Sequence, residues 1–410
     1  MSLLSLLAER IHHHGPLTVA EYMDYALYHS ELGYYSSSDK RSGQRGDFFT
    51  SVDLGSTFGE FLAIQLAEMY DLLLEERPET FQDFDLVEVG SGNGQLARDI
   101  LDTVEKDYPR LYKVLRVQLV ERSIMARAAQ TSIIGPHLHL LKTQPKHPDL
   151  QNSRDSINPD IGHIPNGVTG VILANELLDA LPVHVVEMKD DGLAEIYVDF
   201  DGSELTEKFG PISNPEITAQ LERVGAKLQP GWRAEVGLNT VEWIRNAARS
   251  LEQGFLIVID YGHEAKKLYS SSYAHGTLST YYQHQIDPSR EQHSGNDSIQ
   301  SSTKPAWLID PGIRDLTCHV DLTAVQQVAK DEGLKILGLL DQTYFLLGLG
   351  TAEKLFQEDN NNELEHLKKR LALKTLLLPG GLGSTHKVLI FGKNVGIPTL
   401  RGCSYQKRLT

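Results

Sequence analysis

The segment Glu88-Val-Gly90-Ser91-Gly92-Asn-Gly94 sets three glycines at alternate positions directly behind the apolar run that begins at Phe84. Without a Cβ a backbone can approach a ligand closely, and a helix starting behind such a loop offers free N–H groups and a positive dipole end to a negative group. A dinucleotide loop needs glycine at its first, third and sixth positions. Here those are Gly90, Gly92 and Gln95, so pyrophosphate binding is disfavoured. The next apolar run, Val117-Gln-Leu-Val-Glu121, ends in an acid whose two oxygens suit the two hydroxyls of a ribose. Glu121 lies 31 residues beyond Gly90, farther than the ~20 of the dinucleotide fold, and Asp107-Tyr-Pro109 accounts for the excess as an extended loop.

A third constellation is Asn175-Glu176-Leu-Leu-Asp179-Ala-Leu-Pro182, behind the run Val171-Ile-Leu-Ala. If Glu176 starts a helical turn, Asp179 shares its face three residues on, and two carboxylates converge. That pair suits a guanidinium, whose donor fork matches carboxylates and whose proton leaves only as a new bond arrives. The plainer alternative makes Asn175 a helix cap and the two acids solvated first-turn residues. Asp260-Tyr261-Gly262 ends a further strand and either lines the same place or ties down the next loop. Asp321, before Leu322-Thr-Ala, reads as a helix cap. Asp149, Asp155 and Asp160 all lie where a base contact is expected, and spacing does not choose among them.

These residues need a scaffold, and the chain's periodicity supplies one. From about residue 84 strands and helices alternate, which predicts a mainly parallel, doubly wound α/β sheet. The expected strands are Phe84–Val89, Val117–Glu121, a segment around Leu138–Leu141, Val171–Ala174, Phe255–Asp260, Tyr344–Gly348 and Lys387–Phe391, the last two antiparallel. Helices are expected after Gly94, Arg122 and Glu176, over 321–332 and over 363–373. Residues 1–80 read as a helical region with a long loop through Gly46-Asp47-Phe48-Phe49, 81–181 as the ligand-binding core and 182–240 as an inserted strand-containing subdomain. Residues 241–410 complete the core, with a polar insertion near 265–318 whose stretch 285–305 reads as a mobile excursion.

The balance of 39 Lys+Arg against 55 Asp+Glu gives a formal charge of -16, which disfavours nucleic acid and anionic lipid. The two cysteines, Cys318 and Cys403, are too far apart in sequence for a Cys-based metal motif and point to a reducing, cytoplasmic setting. The N-terminal segment does not read as an export signal or presequence, and no apolar run suggests membrane insertion. His12-His13-His14 point in different directions on a helix, so no metal is expected there.

With Gly15-Pro16, Gly33-Tyr34-Tyr35, Gly46-Asp47-Phe48-Phe49-Thr50, Phe58-Gly59-Glu60, Glu121-Arg-Ser123, Gly276-Thr-Leu278, Asp315-Leu-Thr317 and His386-Lys387-Val388 in the same order, the chain resembles the MidA family of S-adenosylmethionine (SAM) dependent methyltransferases. The resemblance runs over nearly the whole length. It implies SAM as cofactor and a seven-stranded, Rossmann-like methyltransferase sheet. In that fold Glu88 faces the methionyl ammonium, the loop through Gly90, Ser91, Gly92 and Gly94 wraps the amino-acid end, and Asn175 adjoins the transferred methyl. It further implies that Gly46 and Asp47 fold over the cofactor site, and that the acceptor is an arginine of a protein partner such as a respiratory complex I type subunit. Glu176 and Asp179 are then the leading catalytic candidates, with Asp47 and Tyr261 behind them. Ser91 departs from the family, where proline is common. A catalytically silent assembly factor and a small-molecule methyltransferase are the rival readings, and the oligomeric state, homodimer included, stays open.

Overall fold

The computed structural model describes residues 2–36, 50–76, 82–142, 163–282, 285–286, 304–351, 363–378 and 382–405. The chain divides into two compact units: one takes 1–49, 178–242 and 263–325, the other 50–177, 243–262 and 326–410. The division differs from the expected boundaries in two ways. The helix Thr57–Glu76 belongs with the central sheet, and the N-terminal helices belong with the inserted strands.

The second unit is built on six strands of a seven-stranded sheet: β1 (Phe84–Val89), β2 (Leu115–Val120), β3 (Val168–Asn175), β4 (Leu251–His263), β5 (Lys335–Asp341) and β6 (His386–Lys393). Their order is β5-β6-β4-β3-β1-β2. β2, β1, β3 and β4 run parallel, and β6 is antiparallel to both neighbours, so the expected antiparallel end is present. β1 is buried along its whole length, and β4 is buried from Gln253 to Asp260, as a sheet covered on both faces requires. Phe58, Phe61 and Leu66 from the helix Thr57–Glu76 join Leu96, Ile100 and Leu101 from Gln95–Asp107 over Leu86, Val171 and Ile257. This packing holds the carboxyl ends of β1, β3 and β4 in one row.

Four expected elements differ. The excess between Gly90 and Glu121 is not an extended loop at 107–109: Tyr108 alone separates the helix Gln95–Asp107 from a short helix Pro109–Val114, with Pro109 at the first helical position, where its missing N–H costs nothing. Around Leu138–Leu141 the chain forms a 3₁₀ turn, Gly135–Leu140, with one parallel bridge from Leu141 to Val117. Pro136 near its start fixes φ and removes a donor, which favours a turn over a strand. Tyr344–Gly348 lies within the helix Gln342–Gly348, and the strand is the preceding Lys335–Asp341. A short apolar run carries no period that separates the two. No helix begins at Glu176. Its φ is +50°, which a right-handed helix excludes, and residues 176–181 form bends and turns.

The other unit holds an all-antiparallel five-stranded sheet and a three-stranded one. His184–Lys189 and Gly192–Phe200 form the expected strand pair, with Val186 opposite Glu195. Leu3, Leu7 and Tyr22 from the first helices pack with Val185, Ile196 and Trp307. Most of the polar stretch 285–305 lies outside the described residues.

A buried ion pair stands at the end of β5, where Lys387 Nζ lies 2.5 Å from Asp341 Oδ1 with side-chain exposures of 3% and 1%. Lys387 Nζ also donates to the Ser384 carbonyl. Asp341→Ala leaves the ammonium buried without its counter-charge and should cost about 3–5 kcal/mol. Urea unfolding monitored by circular dichroism reads this directly, and a loss below about 1 kcal/mol would show that water reaches the lysine.

Candidate functional site

The strand β1 ends on Glu88 and Val89, and the loop behind it turns on three left-handed glycines: Gly90 (φ +73°), Gly92 (φ +52°) and Gly94 (φ +86°). Gly94 caps the helix Gln95–Asp107, so that helix aims its N-terminus into the loop. Three ties fix the loop. Gly90 N–H donates to the Val120 carbonyl, and the Gln130 amide donates to Ser91 Oγ and to the Gly92 carbonyl. Glu121, just past β2, accepts the Gly92 N–H at 2.8 Å on one oxygen and the Ser123 N–H at 2.7 Å on the other. Each oxygen keeps a further lone pair, so the carboxylate is held in place and can still accept from a ligand.

Glu88 is 4% exposed, and its Oε2 has no partner among the described residues. Burial first, and then the Glu121 charge, push its carboxyl up to about 8, while the Ala97 backbone N–H pulls the other way. A buried acid with an idle oxygen is expensive unless a cation completes it. Asn175 presents a second idle atom, Oδ1, at the end of β3.

The end of β3 carries the other group. Glu176 N–H donates to the Ile259 carbonyl, and Leu177 N–H donates to Asp260 Oδ2, which ties the chain to β4 immediately after the strand. Glu176 Oε1 accepts from Ser51 N–H and from Asn175 Nδ2, both at 3.3 Å. His386, fully buried at the start of β6, sets Nε2 3.5 Å from the same oxygen. Its ring centroid is 4.0 Å from that of Tyr261, its register partner on β4. Ser51 Oγ donates to Gln342 Oε1. Asn175, Glu176, Tyr261, Ser51, Gln342 and His386 therefore stand together.

The structure separates other candidates. Glu176 and Asp179 do not share a helical face, because there is no helix; the spacing argument for their convergence is corrected. Asp179 belongs to the other unit, where its carbonyl accepts from Cys318 N–H. In that unit Tyr35 donates to Asp315, and its hydroxyl is pushed well above the ordinary range by burial and by the Asp315 and Asp179 charges. Asp260 ties down its loop, with Oδ1 on Tyr261 N–H and Oδ2 on Leu177 N–H. Asp321 caps the helix Leu322–Asp331 through Thr323 and Ala324, as its position predicts. Gly46, Asp47, Asp149, Asp155 and Asp160 lie outside the described residues.

Sequence reasoning assigned no role to Ser51, Gln342 or His386. Their grouping depends on strand register and helix docking, and the only local signal is a histidine opening an apolar strand. It also passed over Ile124 and Met125, which follow Glu121 by three and four positions and are 63% and 50% exposed.

Comparison with known proteins matches the same region. The family model for S-adenosyl-L-methionine-dependent methyltransferases matches residues 61–340. A Drosophila melanogaster protein named "Protein arginine methyltransferase NDUFAF7 homolog, mitochondrial" is 27% identical over 84% of this chain and 74% of its own length. The Xenopus laevis protein of that name is 26% identical over 94% of this chain and 83% of its own. A crystal structure of a superfamily member from Burkholderia thailandensis bound to S-adenosyl-homocysteine superposes with a TM-score of 0.80, at 25% identity, covering 98% of this chain and 94% of the other. These bear out the MidA resemblance and the sheet it implies. The cytoplasmic expectation is corrected, since the relatives are named as mitochondrial proteins. Among the described residues no helix is long and apolar enough to cross a membrane.

Proposed function

The chain belongs to the S-adenosyl-L-methionine-dependent methyltransferases, and from that premise we propose that it methylates arginine side chains of a protein acceptor. The observation that carries the cofactor half is the idle, buried Oε2 of Glu88 beside the glycine loop, which fits a methionyl ammonium. Glu121, held by two N–H groups, fits the ribose hydroxyls, and Ile124 and Met125 offer apolar surface to the adenine. Bound SAM supplies an electrophilic methyl on a sulfonium. This chain's part is to orient the acceptor and receive its proton, and Glu176 is placed for both because its carboxylate is fixed by Ser51 and Asn175.

The naming of the relatives as protein arginine methyltransferases supports a guanidinium acceptor, and the MidA resemblance extends this to a complex I type subunit. Asp179 and Tyr261 are kept as acceptor-side candidates on their own surroundings: Asp179 is buried near the Tyr35 hydroxyl, and the Tyr261 ring packs against His386 at a tilt of 44°. Acid hydrolysis of the product formed from methyl-labelled SAM tests the reading. Label running with methylarginine is expected, and label on lysine, histidine or a small molecule would overturn it.

A pH prediction follows from Glu88. Its folded-state pKa is raised from 4.5 to about 8, so its stabilising contribution is fully present below pH 4.5 and is lost as pH rises through about 8. Wild type should therefore lose stability relative to Glu88→Gln across that window. Pairing with an ammonium requires the ionised form, so cofactor binding at pH 7 should release most of a proton from Glu88. Calorimetry in buffers of different ionisation enthalpy measures this release. It should vanish in Glu88→Gln, and no buffer dependence in wild type would count against the assignment.

A further inference from the structure

We propose that His386 is the final proton acceptor of the transfer reaction, taking from Glu176 the proton that the acceptor nitrogen sheds. This deepens the arginine reading and rests on it. His386 Nδ1 lies 2.9 Å from the Leu382 carbonyl oxygen, and a carbonyl only accepts, so Nδ1 carries the hydrogen. In the neutral ring Nε2 is then a bare lone pair. It faces Glu176 Oε1 at 3.5 Å and makes no hydrogen bond.

Two acceptors face each other, with His386 fully buried and the Glu176 side chain 8% exposed, an arrangement that is unfavourable until one proton enters. The pair is therefore built to take up a proton, and the resulting imidazolium would sit against a carboxylate.

The other groups around the ring neither supply that proton nor compete for it. Tyr261 packs on the ring face from β4, and the Thr385 hydroxyl lies on the Nδ1 side. Lys387, next on β6, is neutralised by Asp341. Asp260, opposite Lys387 in register, has its oxygens on Leu177 and Tyr261 N–H.

The chemistry balances. A guanidinium nitrogen forms an N–C bond to the methyl group as the C–S bond breaks, its electron pair staying on sulfur as a neutral thioether. The product is again a guanidinium, so one proton must leave the nitrogen. Glu176 receives it and passes it to His386 Nε2, and it reaches solvent when product departs.

Histidine-labelled protein, full length and saturated with S-adenosyl-homocysteine, allows a test by ¹⁵N NMR, with His386→Asn identifying the resonance. The Nδ1–H tautomer is expected, and in Glu176→Gln the His386 Nε2 resonance should move, because a neutral amide then faces its lone pair in place of a carboxylate. In His386→Asn the side-chain amide can keep the bond to the Leu382 carbonyl, but Nε2 is gone. This variant should melt near wild type and bind S-adenosyl-homocysteine within about threefold of it. Transfer from methyl-labelled SAM to a desalted cell extract should fall about 10²–10⁴-fold. His386→Gln, whose amide cannot take up the proton, should not restore transfer. Transfer within about threefold of wild type in His386→Asn, or an unchanged His386 Nε2 resonance in Glu176→Gln, would overturn the proposal. If wild type labels a residue other than arginine, the arginine reading falls and the Nε2 resonance alone decides the role of His386.

Discussion

Gly92→Arg abolishes measurable SAM binding while the protein stays folded: this is the expected result of calorimetric titration and thermal unfolding run side by side. A Cβ at Gly92 would meet no described atom within 4 Å, so a new side chain does not disturb the core. It projects from the loop next to Glu121, whose carboxylate the Gly92 N–H contacts, and a guanidinium there claims the oxygens assigned to the ribose. The φ of +52° costs an L residue roughly 1–2 kcal/mol, small against a typical folding free energy. The dissociation constant should rise at least about 100-fold, equivalent to about 2.7 kcal/mol. Gly90→Ala makes a useful contrast. Its Cβ would come within 2.9 Å of Leu177 Cδ1, at a φ of +73°, so loss of binding there should come with loss of stability. Wild-type protein that takes up no SAM would favour the silent assembly factor instead.

Glu176→Gln should separate binding from chemistry. The amide keeps the size of the side chain and can still accept from Ser51 and Asn175, yet it no longer holds a proton or a full negative charge opposite a guanidinium. SAM affinity should stay within about threefold of wild type, and methyl transfer should drop about 10²–10⁴-fold, the usual contribution of one positioned acid–base group. Transfer and affinity falling together would indicate that Glu176 binds cofactor. Transfer close to wild type would remove it from the reaction.

The parts of this site that local sequence makes legible are those where one short segment carries the whole signal. The run from Phe84 through Gly94 contains its strand, its loop and its helix start, and Val117–Glu121 contains a strand and its terminal acid. Glu176 is legible from its place behind β3, not from helical spacing. A helical turn was expected to pair it with Asp179, whereas a left-handed residue tied to β4 at Ile259 and Asp260 sets its position, and those ties are long-range. Leu138–Leu141 and Tyr344–Gly348 mislead because mostly apolar runs of four or five residues carry no decisive period. His386 meets Glu176 only once β6 has paired with β4 and β4 with β3, so no spacing in the chain could have joined them.

Strain at Glu176 fits the same picture. A non-glycine residue at φ +50° persists only where its surroundings hold it, and here its own N–H, the next N–H and its carboxylate are all engaged. Such over-determination at a strand end suits a group that must keep one orientation while a substrate arrives.

A crystal structure of this protein with S-adenosyl-homocysteine shows where the amino group, the ribose and the sulfur sit. The amino group is expected on Glu88 Oε2, the ribose hydroxyls on Glu121, and the sulfur opening toward Asn175 and Glu176. An amino group held by a different acid, or a sulfur turned away from Glu176, would contradict this placement.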